Sequence, residues 1–394
     1  MRNDVFIVSA ARTPIGALSG SLATVPAPQL GAVCIKSVLE RAGVSGEEVD
    51  QAIMGNVVGA GIGQNPGRQA LIRAGLPPSV GGTTVNKVCG SGLKAVMMAA
   101  DSIELGHAQC VLAGGMESMS GAPYLLPQAR QGYRMGNGVL VDSMVHDGLW
   151  DIYGDKHMGI YGDQCAAKYG FSRQDQDDFA VRSYTRALKA IAEEVFDDEI
   201  VPVDVTVRRK TTTVQEDEEP QRFNEDKLRS LRPAFGSEGT VTAGNASSIN
   251  DGGAALLLAS GAACASLRIK PIARVVGATT FSREPEWFTL APIGALEKLF
   301  ETINWSVETT DLFEINEAFA TVTMAAEKEL DIPAEKVNIY GGAVALGHPI
   351  GCSGARILVT LLTGLRRTGG DRGIACLCIG GGEAVALAVE TDLS

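Results

Sequence analysis

The segment GAVCIKSVLERAGVSGEEVD, from Gly31 to Asp50, lies without a gap over GALEKLFETINWSVETTDLF, from Gly294 to Phe313. Each copy reads as an amphipathic helix, a turn and the entry to a strand. In the first, Leu30, Val33, Cys34, Val38 and Leu39 recur at helical spacing on one face, and Gly43 is the residue type that ends such a helix. A second correspondence follows. Val85-Asn86 leads in six positions to Gly92 and an apolar helix, whereas Val337-Asn338 takes sixteen to reach Gly354 and its helix. The added residues contain Gly347-His348-Pro349. Each helix leads to a short apolar strand, CVLAGG from Cys110 and IACLCIGGG from Ile374, as expected of strands buried on both faces. The chain therefore reads as α/β, with two similar halves that each alternate strand and helix around a sheet. Over 121–244 the texture changes to charged helix, SRQDQDDFAVRSYTRALKAI from Ser172, and polar runs such as TTTVQEDEEP from Thr211. That segment is expected to be an inserted loop domain.

Length and composition agree with this division. At 394 residues the chain exceeds one ordinary core. A net charge of −12 argues against nonspecific nucleic-acid binding and requires a local basic patch for any polyanionic ligand. No apolar run reaches the ~18 residues of a membrane span, and MRNDVFIVSAA lacks a signal-peptide pattern, so a cytoplasmic location is expected. The eight cysteines match no disulfide or zinc template and should be thiols in a reducing compartment, without a metal. GAGIG from Gly59 does not fit the dinucleotide fingerprint, and no permanently bound cofactor is expected.

Three residues stand in settings suited to chemistry. Cys89 lies in VNKVCGSGLKAV, where Gly90, Ser91 and Gly92 form a strand-to-helix turn. Helix N-termini stabilise a thiolate and lower its pKa from ~8.5 toward neutral, although most free cysteines are simply small buried hydrophobes. His348, one of only four histidines, sits in GGAVALGHPIGCSGAR, a glycine-rich insertion that interrupts an otherwise repeated helix entry. Cys378 ends a strand in which Cys376 and Cys378 share one face, and Gly380-Gly381-Gly382 follow with bare N–H groups able to hold an oxyanion. The alternative for Cys378 is a buried strand cysteine, the reading kept for Cys376 and Cys352. CGSG also approaches the cysteine segment of papain-like peptidases, with Asn316 and His348 as partners. The order of the two is reversed, however, and the fourth signature cysteine is Gly92.

VNKVCGSGLKA, NEAFA from Asn316, GGAVALGHPIGCSGAR and the CIGGG that ends at Gly382 resemble the four signature blocks of the thiolase family. VFIVSAARTPIG, LRPAF and GNASSINDGGAA extend the resemblance over nearly the whole chain. It implies a duplicated αβαβα five-layer fold: residues 1–120 and 245–269 form the first half, 121–244 a loop domain that binds coenzyme A, and 270–394 the second half. It implies that Cys89, deprotonated by His348, carries the acyl group, and that Cys378 moves the α-proton of acetyl-CoA. The N–H groups of Cys89 and Gly380 would hold one oxyanion; His348, with Asn316 through a water, would hold the other. Coenzyme A, as a substrate, would run past His157, Met158, Phe235, Ala243, Ser247 and Phe319, with Arg222, Lys227 or Arg229 at its phosphates unless these form only a solvated charged face. A homodimer or homotetramer in fatty acid metabolism is implied, with contacts near Gln64 to Arg68 and in the loop domain.

His157-Met158 resembles the acetoacetyl-CoA branch, which favours short acyl chains over the longer-chain degradative alternative. Trp287-Phe288 and Glu383-Ala384 depart from the family pattern. The former pair is expected to narrow or rearrange the acyl pocket; the sequence offers no role for Glu383. A ketoacyl-carrier-protein synthase would need a second catalytic histidine, and a noncatalytic acyl-CoA-binding protein would not need all four catalytic side-chain positions filled.

Overall fold

A computed structural model describes residues 3–393. Nine strands form the path of its large sheet: β1 Val5–Arg12, β2 Gln51–Gly55, β3 Gly81–Val85, β4 Cys110–Ser118, β5 Asn250–Ser260, β6 Ala273–Ser282, β7 Leu312–Ile315, β8 Arg372–Ile379 and β9 Glu383–Glu390. Their order is β7-β8-β9-β6-β1-β5-β4-β2-β3. The duplication is visible in the pairing. In the first half β2 runs parallel to β4, β4 antiparallel to β5, and β5 antiparallel to β1. In the second, β7 runs parallel to β8, β8 antiparallel to β9, and β9 antiparallel to β6. The halves join where β1 meets β6 through two residue pairs, Phe6 with Arg274 and Ile7 with Ala273. Strand β3 has a one-residue counterpart, the parallel bridge of Val337 to Phe313, so the Val-Asn landmark holds in space as well as in sequence.

Alternation along the strands builds the layers. In β8, Ala375, Leu377 and Ile379 face a core shared with helices Ser91–Glu104 and Ile350–Thr368, while Ile374 and Cys376 face helices Ala291–Ile303 and Ala320–Glu329. On the first half's outer side, helix Ala27–Ala42 buries Cys34, Ile35, Val38 and Leu39 against Leu112, Leu257 and Ala259, and ends at Gly43. The result is helix, sheet, paired helices, sheet, helix, the five-layer α/β fold. Burying one Leu or Val side chain is worth about 1.5–3 kcal/mol, so the helix pair, apolar toward both sheets, is the main adhesive of the molecule.

From the end of β4 to the start of β5 the chain adds no strand to the large sheet. It forms helix Met158–Tyr169, helix Arg173–Ala192 with a Ser172–Asp175 capping box, and the hairpin Val203–Val207 with Lys210–Val214. Arg208 and Arg209 are the hairpin's two-residue turn, both at positive φ. Arg12 on β1 anchors this region. Its guanidinium donates to both carboxylate oxygens of Asp217 at 2.7 and 2.8 Å and to Glu199 at 2.5 Å, and all three side chains are almost fully buried.

Replacing Arg12 strands two buried carboxylates. Arg12→Met should lower the free energy of unfolding by about 3–5 kcal/mol, read as a lower urea midpoint. A loss below about 1 kcal/mol contradicts the anchoring role.

Candidate active site

The link from β3 to helix Ser91–Glu104 is held in a strained shape. Val88 lies at φ +46°, a conformation that costs a β-branched residue about 1–3 kcal/mol. Local bonds hold it there: Ser91 Oγ accepts from Lys87 N at 2.8 Å and donates to Val88 O at 2.6 Å, and Asn86 Oδ1 accepts from Val88 N at 3.0 Å. Cys89, next in line, is brought to the wall of a cavity of about 380 Å³. It is the one half-buried cysteine; the other seven are buried.

His348 reaches the same cavity from the second half. It precedes helix Ile350–Thr368 by two positions, as Cys89 precedes helix Ser91–Glu104, and the two helix starts touch. Its N–H donates to Asn250 Oδ1 at 2.9 Å, and its Nδ1 lies 2.6 Å from Ser353 Oγ. With the Ser353 Oγ proton on Pro349 O at 3.0 Å, Nδ1 is the donor to Ser353. Nε2 is then bare. It is buried and has no protein partner.

Cys378 is fully buried at the end of β8, close enough to Cys89 for their thiolate charges to oppose one another. Its neighbours are Tyr161, Phe288, Phe319 and Val241. The strand continues into the Gly380–Gly382 turn, where Gly381 and Gly382 sit at φ +91° and +88°, open only to glycine without strain. The N–H of Gly380 and that of Cys89 itself lie close enough to the Cys89 sulfur to favour its thiolate. Asn316, just past β7, is buried with neither amide atom partnered. Orphaned buried polar groups are rare, and Asn316 and His348 Nε2 are thus ready for a water or a reactant.

Burial governs the protonation states. It pushes the Cys89 thiol up to about 11, with the two N–H groups pulling the other way and the charge of Glu117 adding to the rise. The low-pKa thiolate expected from the helix N-terminus is therefore corrected: desolvation outweighs the two N–H groups, and Cys89 rests as a thiol. His348 is lowered to about 3, first by burial and then by the Arg356 charge, so it rests neutral. Cys378 is raised well above the ordinary thiol range, chiefly by burial.

Of the residues expected along coenzyme A, His157, Met158, Phe235, Ala243, Ser247 and Phe319 all line this cavity. His157 stacks on Phe235 at 4.6 Å, and Ser247 Oγ donates to Ala318 O at 2.9 Å. Arg222 does not line it. Outside it, Arg222 pairs with Glu218, four positions earlier, and Glu219 lies at 3.9 Å. Arg229 is likewise held by Asp178 and Glu225. Among the described residues, no Lys or Arg lies on the cavity wall, and no His/Cys/Asp/Glu cluster is suited to a metal. Of the aromatic pair, only Phe288 faces the cavity; Trp287 packs outside it, beneath Lys168 at 4.4 Å.

Two supports carried no assigned role in the sequence. Glu117 accepts from Asn56 Nδ2 and from the N–H groups of Val57, Val58 and Gly351, joining the end of β4 to the His348 loop. Its carboxyl is raised to about 7, first by burial. Asn250, within the GNASSINDGGAA block, orients His348.

Comparison with known proteins places the chain. The chain matches the family description "Thiolase, N-terminal domain" over residues 5–262 and "Thiolase, C-terminal domain" over residues 269–391. An acetyl-CoA acetyltransferase of Cupriavidus necator is 50% identical over 389 residues, spanning 98% of this chain and 99% of that protein. Acetyl-CoA acetyltransferase 2 of Arabidopsis thaliana is also 50% identical, over 98% of this chain and 97% of its own. The crystal structure of the Bacillus anthracis acetyl-CoA acetyltransferase superposes with a TM-score of 0.97 at 42% identity, covering 99% of both chains. The chain belongs to the thiolase family.

Cys89 should be the first thiol alkylated by iodoacetamide, because the other seven are buried. With its pKa raised, the thiolate fraction below about pH 11 grows about tenfold per pH unit, so the alkylation rate should climb throughout pH 7–9. A plateau already reached at pH 7 contradicts a protonated resting thiol.

Proposed function

We propose that this thiolase cleaves and forms the carbon-carbon bond of short 3-ketoacyl thioesters of coenzyme A, carrying the acyl group on Cys89. One observation carries the reading: two N–H donors converge on a cysteine that shares a cavity with a bare imidazole nitrogen. In the cleaving direction Cys89 Sγ bonds to the 3-keto carbon while its proton passes to His348 Nε2. The N–H groups of Cys89 and Gly380 hold the resulting oxyanion, each such donor being worth about 3 kcal/mol. The bond between C2 and C3 then breaks, and Cys378 gives its thiol proton to C2, releasing acetyl-CoA. Protonated His348, with Asn316 through a water, holds the enolate oxygen during that step. The thiol of an incoming coenzyme A next returns a proton to Cys378 and attacks the acyl group, and the departing Cys89 sulfur recovers its proton from His348. All three residues end as they began, and condensation is the reverse. A Cys378 that burial keeps protonated suits this cycle, since it must start with a proton to give.

The short-chain reading rests on Phe288, which stands in the cavity wall, and on the names of the relatives. Coenzyme A would lie along the 121–244 segment, which we read as the loop domain. We read the assembly as a homodimer or homotetramer: the outer edge of β3 is unpaired among the described residues, and Tyr124, Leu126, Met135 and Val139 are exposed. Eight free thiols fit a reducing, cytoplasmic setting, and fatty acid metabolism is the matching role.

Coenzyme A-dependent thiolysis across chain lengths tests this. The four-carbon 3-ketoacyl substrate should give the highest kcat/KM, and Phe288→Ala should raise kcat/KM for six- and eight-carbon substrates about tenfold. An optimum on long chains in the unaltered enzyme overturns the short-chain reading.

A further inference from the structure

Glu383 directly follows the Gly380–Gly382 turn. Its carboxylate accepts a hydrogen bond from Lys87 Nζ at 2.6 Å and one from Ser282 Oγ at 3.2 Å. Lys87 stands two positions before Cys89, and its own N–H is fixed by Ser91 Oγ. The partners are 296 positions apart and lie in different halves. Their ion pair therefore spans the gap between the loop that bears one oxyanion N–H and the turn that bears the other. Arg283 N, bonded to Gly382 O at 2.8 Å, braces the far side of that turn.

We propose that the Lys87–Glu383 ion pair is a positioning element that sets the spacing of the Cys89 and Gly380 N–H donors across the seam between the halves. The proposal rests on the thiolase reading of the site. The side chains are 20% and 32% exposed, and pairs at the solvent boundary add little to folding stability. Their effect falls instead on alignment, to which catalysis is far more sensitive: misplacement by about 1 Å can cost about 100-fold. Lys87 and Glu383 touch no reacting atom and act only through the two N–H groups.

The experiment uses Glu383→Gln, Lys87→Met and the exchanged pair Lys87→Glu with Glu383→Lys, each checked for native circular dichroism. Positioning predicts that both single variants lower the kcat of thiolysis about tenfold with KM changed less than about threefold, and that the exchanged pair recovers most of the loss. It also predicts that both slow the alkylation of Cys89 at pH 8, since both misalign the donors that favour its thiolate. A purely electrostatic influence predicts opposite signs: losing Glu383 would speed alkylation and losing Lys87 would slow it. Opposite signs, unchanged rates in either single variant, or a folded exchanged pair without recovery each overturn the proposal. Alkylation needs no substrate. An unaltered protein that lacks thiolysis would therefore count against the thiolase activity alone, while the alkylation signs still judge the positioning role. Should the exchanged pair not fold, the signs of the two single variants decide the matter.

Discussion

Two helices that begin against one another, backbone to backbone, set the place of everything else in this protein. A Cβ on Gly92 would lie 2.7 Å from Ala355 N, and one on Gly354 would lie 2.4 Å from Leu93 N. No side chain fits between them. The contact brings together the residues two positions ahead of each helix and its turn, so the Cys89 loop of one half and the His348 loop of the other open into one cavity. The apolar faces of both helices then fill the space between the sheets, and the site inherits the rigidity of the best-buried layer.

That placement has an electrostatic consequence. On the wall of a cavity between the halves both side chains lose water, and the loss keeps Cys89 protonated and His348 neutral. The same low-dielectric setting strengthens each N–H aimed at the sulfur. The site is thus poor at storing a thiolate and good at stabilising charge that appears only as a bond forms, which is what catalysis requires. His348 is held for this by Asn250 at its backbone N–H and by Ser353 at Nδ1.

The fold was legible because gene-scale duplication leaves a double record: the Gly31 and Gly294 segments share a helix-turn-strand pattern, and the Val-Asn landmarks mark matching places in the two half-sheets. Cys89, His348 and the glycine turn after Cys378 were legible through local settings and signature blocks. Protonation was not, because burial depends on what the rest of the chain packs over a residue. Glu383 was illegible for a similar reason, its partner being 296 positions away. Glu117 and Asn250 gave no local sign of the long-range bonds they make. The ion pair of Arg222 with Glu218 was legible only as a spacing of four positions between opposite charges.

The account turns on whether Cys89 itself carries the acyl group. Brief exposure to isotopically labelled acetyl-CoA, acid quenching and peptide mass spectrometry would locate it. The account predicts one labelled acetyl group per chain, on the peptide containing Cys89, and its disappearance when coenzyme A is added before quenching. Label on Cys378, Cys352 or any other residue, with Cys89 unmodified in an active enzyme, would contradict it.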